Sequence, residues 1–433
     1  MTLYYLLLFV TPFHNDPRLG MTLIDIGSGM IVTPVKVLGV LTVAAAILAP
    51  RPRANVPRLR NTLRPLFLLF AVIPVFAILL SPLPIPTAQI SQLISAALLL
   101  MATGIMVRTK ERMLKSVRIL VLAFAFSSLW VYKQYFIEHV CRAYGVEGES
   151  NYEALMLLLS MPMGFWMWNH ESTVWWRRLG LACGALLTGA VLLTQSRAGI
   201  IAAGMIAVLA AVRSRHKLAG LALLMVAVSV TLAYGPAGLS QRFRSIRFTG
   251  EAENGDEGST RIHVELLKAG VRMMESHPLF GVGMGQFKQV APEYNPEIFK
   301  ISTNSFIAHN LFIQTGAECG VPVLLLFVMM IAVALRNLGI AWRTADQALS
   351  ALGRSMQTAL IAISIVATSI TVEGLPFWIL IFFSQNLREI VSAEIARTKV
   401  DDSMVVSAEA TAYGTKNVVT ARLPVRTPNT VRT

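Results

Sequence analysis

The sequence predicts an all-α fold, a polytopic transmembrane helical bundle of about 12 spans, and three observations predict it. Of 433 residues, 55% are hydrophobic and only 14% are charged, with a mean hydropathy of +0.59, whereas a soluble domain carries roughly a quarter charged residues. The apolar residues come in blocks of about twenty, the length a helix needs to cross a hydrocarbon core of about 30 Å. Lys and Arg cluster at every second connection between the blocks, as short cytoplasmic loops require.

These features exclude an ordinary soluble enzyme. The net charge of +14 would suit a nucleic acid, but the apolar blocks make the lipid bilayer the partner, and no nucleic acid is expected. Cys141, Cys183 and Cys319 are too scattered for a disulfide framework and show no CxxC metal spacing. The apolar stretch from Met1 to Phe13 lacks a basic start and a small-residue cleavage site, so it reads as an uncleaved first span.

In chain order, hydrophobic runs fall at 2–13, 28–49, 64–82, 89–107, 117–132, 153–168, 179–195, 198–212, 217–235, 309–335, 355–372 and 374–387. Basic clusters follow the second run (Arg51, Arg53, Arg58, Arg60), the fourth (Arg108, Lys110, Arg112, Lys115), the sixth (Arg177, Arg178), the eighth (Arg213, Arg215, Lys217) and the tenth (Arg336, Arg343, Arg354). Even-numbered spans then end in the cytoplasm, and both termini lie inside. The chain divides into spans one to nine over 1–235, one large outer loop containing short helices over 236–308, spans ten to twelve over 309–394, and a cytoplasmic tail over 395–433. The tail has no helical or strand period and reads as disordered. The loop carries eight basic and eight acidic residues, so the positive excess belongs mainly to the cytoplasmic loops and tail, where it sets orientation and meets anionic lipid.

Within the loop, Gly258-Ser-Thr reads as a helix start, and apolar residues from Ile262 to Met274 give an amphipathic helix up to Ser276. Arg261 sits in its first turn, off the apolar stripe, where it either pairs with Glu265 at i+4 or faces a ligand. Gly281, Gly283 and Gly285 resemble a nucleotide loop only superficially. No strand precedes them and no helix pattern follows, so a tight irregular turn is expected.

His309 and Asn310 open the tenth predicted span, and Gln314 and Glu318 follow Asn310 at intervals of four, a polar stripe on an apolar helix. Lipid cannot solvate that stripe. Glu318 is therefore either a functional carboxylate or one end of an interhelical hydrogen bond. His309 lies at the water boundary, where a neutral imidazole can accept a proton or serve structure alone.

Arg197 occupies the very short Thr194-Gln-Ser-Arg turn on the outer side, where short loops are otherwise poor in basic residues. It either snorkels or offers a fixed guanidinium for bidentate phosphate binding. Lys36, on the outer half of the second span, has the same two readings, with snorkelling the simpler. Two arginines and a histidine on one surface suit a lipid-linked diphosphate donor. The arginines would neutralise charge on the departing diphosphate, and the histidine would take the proton of an attacking hydroxyl. Neither a metal nor another cofactor is needed, and no DxD-type carboxylate pair appears in the early outer loops. A twelve-span transporter is the weaker reading, because no two halves match; a scaffold in a glycan-assembly complex is a third.

Ser196-Arg-Ala-Gly, Arg261 leading its helix, His277-Pro-Leu-Phe-Gly-Val-Gly-Met-Gly-Gln-Phe and His309-Asn-Leu-Phe followed by Ala317-Glu-Cys-Gly together resemble the O-antigen ligase and polysaccharide polymerase superfamily of bacterial inner-membrane glycan transferases. The pattern covers roughly residues 190–330. The resemblance implies a fold related to the GT-C membrane glycosyltransferases, in the bacterial inner membrane with its active site facing the periplasm. It implies a metal-independent, inverting transfer of a glycan from undecaprenyl diphosphate to an acceptor hydroxyl. By it, Arg197 and Arg261 hold the diphosphate and His309 is the base, while Asn310 and Glu318 match as substrate-binding positions without firm roles. The acceptor is lipid A core in a ligase, or a second lipid-linked glycan in a polymerase.

Overall fold

The computed structural model describes residues 1–13, 24–25, 31–32, 34–48, 61–80, 87–213, 256–298, 307–369 and 377–396. The predicted span 217–235, the loop segments 236–255 and 299–306, and the tail beyond 396 lie outside the described residues.

Helices dominate what is described. They are α1 (Thr2–Val10), α2 (Pro34–Leu48), α3 (Leu63–Leu80), α4 (Thr87–Met106), α5 (Lys110–Phe136), α6 (Ser150–His170), α7 (Val174–Leu193) and α8 (Arg197–Arg213). After them come α9 (Asp256–Ser276), α10 (Phe287–Tyr294), α11 (Leu311–Cys319), α12 (Val321–Ala341) and α13 (Gln347–Val366), then a last helix over 377–396. Apart from these, Ile24–Asp25 and Ile31–Val32 form a short antiparallel ladder. Among the described residues, five helices are long and apolar enough to cross a membrane, within 89–106, 110–136, 174–193, 321–341 and 347–366. Thr2–Phe13, Val35–Leu48 and Leu63–Phe76 are apolar but shorter.

Helix starts follow local chemistry. Thr109 accepts from the Arg112 N–H, Glu149 from Tyr152, and Asp346 from both Ala348 and Leu349, each satisfying donors that a first turn leaves open. α6 and α7 return on each other through glycine contacts. A Cβ on Gly180 would meet Met167 Cβ at 2.5 Å, and one on Gly164 would meet Gly184 N at 3.0 Å. Close backbone approach of this kind is how helices gain packing where lipid removes the hydrophobic drive. Phe67, Phe70, Phe327, Trp378 and Phe382 interlock with ring centroids 5.4–6.3 Å apart, joining α3, α12 and the last helix. Asn386 donates to the Thr103 and Val107 carbonyls, closing the end of α4. Leu48, Leu68, Phe76 and Leu325 point outward and are well exposed, as a lipid-facing surface requires.

Three expectations need correction. The predicted tenth span, 309–335, is two helices, α11 and α12, broken at Gly320 with φ 85°. Only glycine enters that conformation easily, and Pro322 restarts the chain at the beginning of α12. A helix also does follow the glycine turn: α10 begins at Phe287, directly after Gln286. In addition, α9 begins at Asp256, two residues before the predicted Gly258 start.

Contacts sort the helix ends into two groups. Lys110 pairs with Asp346 and Arg118 with Glu171, so the start of α5, the end of α6 and the start of α13 share one end of the bundle. At the other, the turn before α8 meets the loop before α6, and the end of α13 meets the start of α11.

Candidate active site

The candidate residues come from two structural pieces at that second end. The first piece is the Thr194-Gln-Ser turn, three residues between α7 and α8. Ser196 Oγ accepts from the Gly199 N–H at 3.1 Å and donates to Asn151 Oδ1 at 2.7 Å. Gln195 sits at φ 49°, and its side chain donates to the Cys141 carbonyl at 2.6 Å. Arg197 is thereby fixed at the first position of α8, half-buried. Arg142 joins the same network, donating to Asn151 Oδ1 at 3.0 Å. Sequence reading passed over Arg142 and Asn151 because neither lies near the Ser196 motif in the chain.

The second piece is built around α11. His309 stands at φ 48° immediately before it. A non-glycine residue in the left-handed region is uncommon, and such strain gathers at functional sites. Asn310 is the N-cap: its Oδ1 accepts from the Phe312 and Ile313 N–H groups, both at 3.0 Å. Its place in the expected polar stripe is therefore taken up by capping. The Leu311 N–H donates to the Ala367 carbonyl at 2.9 Å, tying the start of α11 to the end of α13.

Glu318, 5% exposed, is the hub of the glycine turn. Its carboxylate accepts from Gly285 N at 2.9 Å, Phe287 N at 3.2 Å and Gln314 Nε2 at 3.2 Å. In return the turn closes the C-terminus of α11, with Val282 N on the Ala317 carbonyl at 2.8 Å and Gly283 N on the Glu318 carbonyl at 3.0 Å. Gly281, at φ 67°, approaches so closely that a Cβ there would lie 2.4 Å from the Glu318 carbonyl carbon. The carboxylate, on the last turn of α11, thus sits in a loop-binding contact, and that nine-residue helix is too short to cross a bilayer. The bond from Phe287, the first residue of α10, links two helices, and the same carboxylate clasps the turn that leads into α10.

The pairing expected between Arg261 and Glu265 has competitors. Glu265 meets Lys268 at 2.8 Å and Asn295 Nδ2 at 2.7 Å. The backbone of Arg261 belongs to α9, but its side chain lies outside the described residues. Two positions further, His263 stacks on His309 with ring centroids 4.2 Å apart and planes 4° from parallel. His263 had no motif to announce it. Burial, and secondarily the repulsion that a protonated His263 would exert, hold the His309 imidazole down at about 4. Burial also lowers His263. His309 is therefore neutral at ordinary pH, the form in which a ring nitrogen can accept a proton. Lys36 is half-buried near the start of α2.

The structure brings His309, Asn310, Gln314, Glu318 and the glycine turn into one unit, with α9 stacked on it through His263. Arg197 belongs to the other unit, which shares the same end through the packing of α8 and α6 against α13. All five candidates fall inside one segment, residues 182–328, which matches the family model described as O-antigen ligase. No curated protein matches the chain. The match, about a third of the chain, lies on nearly the same residues as the motifs and supports for this protein the O-antigen ligase and polysaccharide polymerase superfamily.

Proposed function

We propose that the protein is a multi-pass inner-membrane glycosyltransferase that moves a glycan from undecaprenyl diphosphate to an acceptor hydroxyl at the periplasmic face, as an O-antigen ligase acting on lipid A core. The acceptor oxygen attacks the anomeric carbon from the face opposite the diphosphate. The bond from that carbon to the diphosphate oxygen breaks, and undecaprenyl diphosphate leaves with its electron pair. Arg197 and Arg261 hold and neutralise the diphosphate as charge builds on it. His309 takes the proton of the attacking hydroxyl, which completes the balance.

The observation that carries this reading is His309, neutral, half-buried and held at φ 48° by a capped helix, inside the segment that matches the O-antigen ligase family. Backbone strain of this kind costs of order 1–3 kcal/mol, so the surrounding fold maintains it against a local penalty. Glu318 and Asn310 support the reading as residues that shape the site, through the turn and the cap.

The test is transfer by the purified protein from an undecaprenyl-diphosphate-linked glycan. His309→Ala is expected to abolish transfer, and Arg197→Ala to raise the donor KM and lower kcat. Wild-type turnover by His309→Ala would overturn the reading. Deleting the gene separates ligase from polymerase. A ligase leaves long undecaprenyl-linked chains that never reach lipid A, whereas a polymerase leaves single repeat units.

A further inference from the structure

The stacked pair raises a chemical question that the proposed mechanism leaves open. A base held at about 4 by burial is reliably neutral, yet it binds a proton weakly, so something must favour the imidazolium at the moment of transfer. His263 is the side chain whose ring face covers His309, with centroids 4.2 Å apart and planes 4° from parallel. That geometry does not suit a shared metal ion. Imidazole lone pairs lie in the ring planes, and parallel planes this far apart cannot converge on one ion at the metal–nitrogen distance of about 2.1 Å. It does suit a neutral ring beneath a developing cation, because the π face attracts positive charge.

We propose that His263 is a positioning residue for proton transfer: its uncharged ring, stacked face to face on His309, fixes the orientation of the base and stabilises the imidazolium formed as the acceptor hydroxyl is deprotonated. The inference rests on the reading of His309 as the base. The proton goes from the hydroxyl to a His309 ring nitrogen, and His263 exchanges none. Two like charges at this spacing would repel, so the pair carries at most one proton during turnover. The stack has structural support on both sides. His263 lies on α9, whose Leu266, Ala269 and Met273 are buried with Phe287, Val290 and Ala317. His309 is held by the Asn310 cap and the Leu311 bond to Ala367.

Three variants of the full-length purified protein test the proposal, using an undecaprenyl-diphosphate-linked glycan donor. His263→Phe keeps a neutral aromatic face and is expected to retain kcat within about threefold, whereas His263→Ala loses about tenfold in kcat with little change in donor KM. His263→Lys places a fixed charge against His309 and is expected to fall further than His263→Ala. A kcat for His263→Ala equal to wild type overturns the proposal, and so does a loss in His263→Phe as large as that in His263→Ala. Histidine ring NMR gives a readout that does not depend on turnover. The His309 resonance, assigned by its loss in His309→Ala, is expected to keep its ring-current shift in His263→Phe and to lose it in His263→Ala; an unchanged shift in His263→Ala overturns the stack itself. Failure of the base reading looks different, because His309→Ala would then turn over normally whatever the His263 variants do.

Discussion

At the end of the bundle where α6 finishes, Glu171 receives Arg118 through both carboxylate oxygens, at 2.6 and 2.7 Å, with the guanidinium also over the Trp176 ring. At the end where α6 begins, Glu153 accepts from the backbone N–H groups of Val146 and Glu147, and Glu318 accepts from those of Gly285 and Phe287. The same side-chain chemistry therefore does two jobs. A carboxylate on a guanidinium joins two helices without setting the path of a loop. A carboxylate on successive amide groups dictates the path of a loop, because each N–H must point at it. The loop that Glu153 shapes meets the turn before Arg197, and the turn that Glu318 shapes packs on the C-terminal end of α11, the helix that His309 precedes; the candidate chemistry belongs to the end where backbone shape is controlled.

The largest expected effect tests the loop-shaping half of the comparison. Glu318→Ala leaves the buried Phe287 N–H and the partly buried Gly285 N–H without their acceptor, at about 1–3 kcal/mol for a fully buried group. Thermal unfolding in detergent should show a loss of a few kcal/mol, with glycan transfer lowered at least about a hundredfold. Normal transfer by Glu318→Ala would break the link between turn shape and chemistry. Next in size is Arg118→Ala at the opposite end, which strands the buried Glu171 carboxylate and is expected to cost about 2 kcal/mol. Its kcat and donor KM should match wild type in whatever fraction stays folded. A specific loss of kcat would erase the distinction between the ends.

Asn310→Ala removes an N-cap and should cost about 1 kcal/mol of stability, with a larger proportional loss of kcat because His309 is the neighbouring residue. Asn310→Asp, which keeps the capping oxygen, should restore stability. The smallest effect concerns pH. With His309 lowered to about 4, the neutral base predominates above that value and is lost as the pH falls through it. Turnover should be flat from pH 8 to about 6 and decline only in acid. A midpoint near the ordinary histidine value of about 6.5 would show that the donor or solvent relieves the burial.

Much of the helical architecture was legible in the chain because membrane burial writes itself as long apolar runs. Predicted runs at 64–82, 89–107 and 198–212 correspond to helices within a few residues of them. The break at Gly320 was not legible, since one glycine within an apolar run carries no periodic signal. For the site, residue type and neighbourhood pointed to Arg197, Arg261 and His309, but the partners were hidden by distance along the chain. Glu318 and Gly285 are 33 positions apart, and His263 has neither a motif nor a charge to mark it.

The sequence by itself determined that this protein is helical, apolar and asymmetric in charge, and that one central segment carries the features of a glycan-transferase superfamily. These properties follow from composition and local spacing, which any conformation of the chain retains. Only the tertiary structure decided what the polar residues of that segment hold. Asn310 caps, Glu318 clasps the glycine turn, and His263 meets His309 face to face. Each of those outcomes depends on a donor, carbonyl or ring supplied by another element, and a hydrogen bond or a stack exists only when packing brings both partners within a few ångströms.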